Sequence, residues 1–148
     1  DVMKESAQIA LSLVKARIPE AADRMKDRNL HIHVPDGATP KDGPSAGITL
    51  ATALASLFTG VEIPSEVAMT GEISLRGDVN PIGGLPEKLM AAQRAGVRRV
   101  FIPQDNEMDL QDIPREVLES LILIPVSSVE EVWSALGIPG AGPIPLAG

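Results

Sequence analysis

The chain has 148 residues and a net charge of −7, from 13 basic and 20 acidic side chains. That length suits about one domain with a real core, and an acidic chain with two Phe, one Trp and no Tyr lacks the basic footprint and the stacking residues that nucleic-acid binding uses. Cysteine is absent, which excludes disulfides, thiolate metal sites and a cysteine nucleophile and fits a reducing compartment.

Asp1 to Ile18 reads as an amphipathic helix. Val2, Met3, Ala7, Ile9, Ala10, Leu13 and Val14 form a broad apolar face, while Lys4, Glu5, Lys15 and Arg17 keep the other side in water. Charges spread through this stretch do not fit a secretory signal, and Pro19 stops the pattern. Glu20 to Asn29 is charged and expected as a helical turn or loop. Leu30 to Val34 alternates and reads as a strand ending at Pro35, with His31 and His33 on one face. Two histidines could begin a metal site, but no Cys, third His or carboxylate is spaced to complete one, so no metal is assigned and a solvated face or a groove wall is expected.

Asp36 to Pro44 is a Gly and Pro loop that delivers Ser45 to a run of small and apolar residues without charge until Glu62. Pro44, two glycines and several Ser and Thr argue against a membrane span, so the run reads as a buried helix that Gly60 ends. Proline is suited to the first helical position, which puts Ser45 in the first turn, where backbone N–H groups point outward. Two readings stay open there: a helix-start residue, or a nucleophile whose oxyanion is held by the helix-start amides.

Glu66 to Glu72 and Ile73 to Val79 read as two short strands, a hairpin centred near Gly71 or Gly77. Arg76, Gly77 and Asp78 match a cell-adhesion triplet, but three residues in a turn recur by chance. Asn80 to Pro86 is a second glycine-rich turn without the spacing or the Lys-Ser/Thr pair of a phosphate loop. From Pro86 a helix runs to Gly96 and carries Lys88 in its first turn among Ile82, Leu85, Leu89 and Met90. A lysine can serve as a base near neutral pH when its surroundings disfavour the ammonium form; the competing reading is a solvated lysine paired with Glu87. No Ser-His-Asp triad motif is available as an alternative.

Arg99 to Ile102 is a strand, Gln104 to Gln111 an acidic connection, Pro114 to Ser120 a helical piece and Leu121 to Val126 another strand. Ser128 to Leu136 is a helix with Trp133 on its inner face, and Ser128 and Glu131 stand in capping-box spacing. Residues 1–137 are expected to form the domain, and 138–148, all Gly, Pro and small apolar residues, a flexible tail. Strands and helices intermix without a regular βαβ period, which predicts a mixed α/β (α+β) domain with helices packed on short strands rather than a doubly wound sheet.

PKDGPSAG at Pro40 to Gly47, MTGE at Met69 to Glu72, LRG at Leu75 to Gly77, PIGGL at Pro81 to Leu85 and EK at Glu87 and Lys88 follow in the order and spacing of one family. From about Asp1 to Leu136 the chain resembles the proteolytic domain of the Lon family of ATP-dependent proteases, in its bacterial A-type form. The resemblance implies a Ser-Lys dyad with Ser45 as nucleophile and Lys88 as general base, Thr70 holding the lysine amine, and backbone around Asp42, Gly43 and Pro44 forming the oxyanion site. It implies an acyl-enzyme on Ser45, unfolded proteins or peptides as substrates, a homo-oligomeric hexameric ring and a cytoplasmic location. No cofactor is implied for this chain; ATP and Mg belong to a AAA+ module, whose Walker motif the sequence lacks. Departures are Pro86, where the family often has lysine, Asp78 and Asn80, which also vary, and a β-rich segment that the family places ahead of the helix beginning at Asp1. A non-catalytic Lon-like assembly scaffold is the alternative; such a domain is expected to lose the serine or the lysine, and both remain.

Overall fold

The computed structural model describes residues 2–25 and 43–139. The expected strand Leu30 to Val34 with His31 and His33, the loop from Asp36 to Asp42, and the tail beyond residue 139 lie outside them. In chain order the elements are α1 (Val2–Arg17), α2 (Pro19–Met25), a 3-10 turn (Gly43–Ala46), α3 (Gly47–Thr59), β1 (Val67–Met69), β2 (Glu72–Ile73), β3 (Val79–Asn80), α4 (Leu85–Arg94), β4 (Arg99–Pro103), a 3-10 helix (Gln104–Asp112), α5 (Arg115–Ser120), β5 (Ile122–Val126) and α6 (Val129–Leu136).

The mixed α/β class expected from the sequence is the one observed. Three strands form a parallel sheet in the order β1-β4-β5, and β2 pairs antiparallel with β3 in a separate two-stranded ribbon. The hairpin expected between residues 66–72 and 73–79 is therefore displaced. Val67 to Met69 leave it to pair with Arg99 to Phe101, and the ribbon forms between Glu72–Ile73 and Val79–Asn80. Its turn is Ser74 to Asp78, where the Ser74 hydroxyl accepts from the Arg76 and Asp78 N–H groups. The Arg76-Gly77-Asp78 triplet is built into this turn, with the Arg76 carbonyl accepting a hydrogen bond from Arg17. Parallel strands need long crossovers, usually helical. The ribbon inserted between β1 and α4 is what hides that βαβ spacing in the sequence.

Side chains alternate across β4. Phe101 packs with α1, α3 and α6, whereas Val100 and Ile102 pack with α4 and α5. Val67 and Met69 against Ala68 on β1, and Ile124 and Val126 against Leu123 on β5, repeat the division. The sheet is therefore a middle layer between two helical ones, each with its own core.

The end of α6 explains why Ile138, expected in the tail, belongs to the packed body. Gly137 takes the left-handed conformation and Ile138 N–H donates to the Trp133 carbonyl at 2.8 Å, the long hydrogen bond of a Schellman ending. That bond turns Ile138 back onto the core, where it is 4 % exposed. At the other end of α6 the expected capping box is not made. Ser128 makes no side-chain cap bond, and Glu131 Oε1 instead accepts from the Ser127 hydroxyl at 2.6 Å.

Candidate active site

Ser45 lies in the 3-10 turn that leads into α3, two residues before the α-helix proper, which begins at Gly47. The turn is sewn to the end of β1. Gly71 N–H donates to the Ser45 carbonyl at 3.0 Å, Ile48 N–H donates to the Gly71 carbonyl at 3.1 Å, and the Thr49 hydroxyl donates to the Met69 carbonyl at 3.3 Å. Two glycines permit this approach. A Cβ on Gly71 would stand 2.7 Å from Val79 Cγ1, and one on Gly47 would stand 2.9 Å from Ile73 Cγ1. Larger residues would push the β2–β3 ribbon off the serine turn.

Lys88 arrives from the opposite layer. Gly84, in the left-handed region, caps α4, with Pro86 in its first turn, and the Lys88 N–H donates to the Gly84 carbonyl at 3.2 Å. Leu85 and Leu89 are buried in the α4–α5 core and anchor the helix on either side of Lys88. From there Lys88 Nζ donates to Ser45 Oγ at 2.8 Å. The serine is 8 % exposed and the lysine half-buried. The same separation lets a neutral amine accept the serine proton.

Thr70, the third expected site residue, is also buried. It follows β1 directly, and its N–H donates to the Phe101 carbonyl on β4 at 3.1 Å, so it stands one residue from the contact that grips Ser45. No hydrogen bond joins Thr70 to Lys88 among the described residues. Gly43 and Pro44 belong to the serine turn; Pro44 has no N–H to donate, and so shapes the turn rather than binding an oxyanion. Asp42 lies outside the described residues.

A residue that sequence reasoning misses is Asn106, buried in the 3-10 helix after β4 and bonded through its carboxamide to the Ile82 peptide of the glycine turn before α4. Nothing periodic marks it, since its neighbours form an exposed acidic connection. A small cavity of about 70 Å³ lies beside Gly47, lined by Val2, Glu5, Ser6, Ile9, Glu72 and Ile73. It includes neither Ser45 nor Lys88. Among the described residues no group of three or more His, Cys, Asp or Glu could hold a metal ion, and no helix is long and apolar enough to cross a membrane.

Residues 1–137 match the family model of the Lon protease (S16) C-terminal proteolytic domain. The chain belongs to this family. It is 62% identical over 139 residues to Lon protease of Clostridium beijerinckii, covering 93% of this chain and 18% of that protein. It is 52% identical over 134 residues to Lon protease of Methanosarcina barkeri, covering 89% of this chain and 17% of that protein. Against Lon protease of Vibrio parahaemolyticus it is 53% identical over 135 residues, covering 89% of this chain and 17% of that protein. The chain thus spans under a fifth of the length of these relatives. Within the Lon family it is a serine-protease domain, the class expected from PKDGPSAG and PIGGL.

Proposed function

We propose that the chain hydrolyses peptide bonds through a Ser45–Lys88 dyad, as the peptidase part of a Lon protease acting on unfolded protein. The observation that carries this reading is the 2.8 Å contact between Lys88 Nζ and Ser45 Oγ, made between two helical layers by residues that neither layer's core requires to meet. In the acylation step Lys88, as the neutral amine, takes the Ser45 proton while Oγ forms a bond to the peptide carbonyl carbon. The carbonyl oxygen becomes an oxyanion, held by backbone N–H groups of the turn that carries Ser45. Collapse of that intermediate breaks the C–N bond, and the Lys88 ammonium returns its proton to the leaving amine. Lys88 then takes a proton from water, which attacks the ester on Ser45; as the C–O bond to Ser45 breaks and the acid leaves, the Lys88 ammonium returns that proton to Oγ.

Thr70 fits a supporting role at the dyad, because its backbone fixes the end of β1 beside the Ser45 turn. No cofactor enters the chemistry of this chain; ATP and Mg act at a AAA+ module of the whole protein, which threads substrate to the dyads of a homo-oligomeric, hexameric ring in the cytoplasm. Neither nucleic acid nor membrane is a partner of this domain. The test is mass spectrometry after incubation with an activated acyl electrophile. An adduct mapped to Ser45 is expected in the unmodified chain, is lost in Ser45→Ala and falls to a slow residual rate in Lys88→Met, both still folded. Peptide turnover that persists in Ser45→Ala overturns the assignment.

A further inference from the structure

We propose that Asn106 is a positioning residue for the reaction: it holds the Ile82 peptide and, through it, the glycine turn that aims Lys88 at Ser45. The inference rests on the Ser45–Lys88 reading and adds to it a residue from a separate element.

The 3-10 helix Gln104–Asp112 is acidic and largely exposed, yet Asn106 within it is 3 % exposed. Its Oδ1 accepts from Ile82 N–H at 2.9 Å, and its Nδ2 donates to the Ile82 carbonyl at 2.9 Å and to Asp109 Oδ2 at 2.7 Å. An ionised carboxylate only accepts, so Asp109 fixes which end of the carboxamide faces it and thereby the orientation in which Asn106 meets Ile82. Side chain and peptide pair as two strands would, at a place where no strand is present.

Apart from the Ile82 side chain, which packs on the α4–α5 core, the backbone of this turn is built from glycines. Gly83 has no atom near its would-be Cβ, and Gly84 is in the left-handed region. Glycine resists fixing more than any other residue. Gly84 in turn accepts the Lys88 N–H, so movement of the turn passes to the backbone of Lys88 within one helical turn. A base must stay within hydrogen-bond reach of the proton it takes, and the Lys88–Ser45 separation of 2.8 Å leaves little slack. A buried carboxamide with both its donors and its acceptor engaged, two of the three bonds made to the N–H and the carbonyl of Ile82 in a glycine turn, is placed to fix that separation.

The test uses the 148-residue chain with Asn106→Leu, which keeps the size and removes all three bonds, and Asp109→Ala, which leaves Asn106 in place without its orienting acceptor. Turnover of a fluorogenic peptide, labelling of Ser45 by a fluorophosphonate, and thermal unfolding are measured for each. A displacement of about 1 Å at a reacting group can cost roughly a hundredfold, so kcat in folded Asn106→Leu is expected to fall about ten- to a hundredfold. KM should stay within about twofold, because the loss belongs to the transition state. Asp109→Ala is expected to lower kcat several-fold in the same sense. In a Lys88→Ala background, Asn106→Leu should leave the residual labelling of Ser45 unchanged, whereas a merely structural role would lower it there too. A folded Asn106→Leu with unchanged kcat overturns the inference, as does an equal proportional loss in the Lys88→Ala background. If Asn106→Leu does not fold, unchanged kcat in Asp109→Ala overturns it. Turnover retained in Ser45→Ala would sink the dyad reading itself; an inactive Ser45→Ala beside an unchanged Asn106→Leu would sink only the role of Asn106.

Discussion

Thr52 and Trp133 meet in the interior at a single hydrogen bond, the indole N–H donating to the threonine hydroxyl at 3.2 Å. Both residues are buried, Thr52 completely, so the indole N–H has no access to water if its acceptor is removed. Thr52→Val keeps the shape and deletes the acceptor, leaving a buried donor unsatisfied at a cost of about 1–3 kcal/mol. Thr52→Ser keeps the hydroxyl and should lose only the contribution of one methyl group, about 1 kcal/mol. Denaturant unfolding followed by Trp133 fluorescence is the measurement, and the expected signature is a lower midpoint with an unchanged slope. Equal midpoints for Thr52→Val and the unmodified chain would mean that the indole finds another partner. Residues of this kind explain why α3 carries threonine within an otherwise apolar face, something its hydrophobic pattern alone leaves unexplained.

Among the elements, α6 separates what spacing suggests from what geometry makes. Ser128 and Glu131 have the spacing of a capping box, but Ser128 makes no cap bond and Glu131 bonds to Ser127. Ser128→Ala is therefore expected to change stability by less than about 0.5 kcal/mol, where loss of a true cap would cost about 1 kcal/mol. Equilibrium unfolding distinguishes the two, and the larger value would show that the serine does cap the helix in solution. The same contrast measures how much was legible beforehand. Helices α1, α3, α4 and α6 are readable because one apolar face repeats along each and Pro or Gly marks their ends. Strand pairing is not, because β1, β2 and β3 have three, two and two residues, too few for alternation to declare a partner. At the site, Ser45 and Lys88 stand out through the glycine- and proline-rich turns around them, and the family resemblance joins them. Asn106 and the contact of Gly71 with the serine turn leave no local trace, since each depends on a segment distant in the chain.

At the scale of the whole molecule, the Ser45–Lys88 pair is a contact between layers. Ser45 is carried by the α1–α3–α6 layer and Lys88 by the α4–α5 layer, and both come to the end of β1, where the carboxyl ends of parallel strands commonly place ligand sites. What holds the layers in register is the sheet between them. Phe101 is buried in one core while Val100 and Ile102 are buried in the other, so neither layer can withdraw without uncovering apolar surface on β4. Within the layer that carries Ser45, the partly buried ion pair of Arg17 with Glu130, joined by the bond from Arg17 to the Arg76 carbonyl, links α1, α6 and the ribbon turn. Because the two cores share these strands, the site should not open ahead of the fold. The prediction is that the rate of Ser45 labelling by an acyl electrophile falls along the same urea curve as the fluorescence of Trp133, the single tryptophan, as a cooperative two-state domain requires. Trp133 reports the layer that carries Ser45, and labelling reports the arrival of Lys88 from the other. Labelling lost at lower urea than fluorescence would mean that the α4–α5 layer opens as its own cooperative unit. The dyad would then be a contact that the fold visits rather than one it enforces.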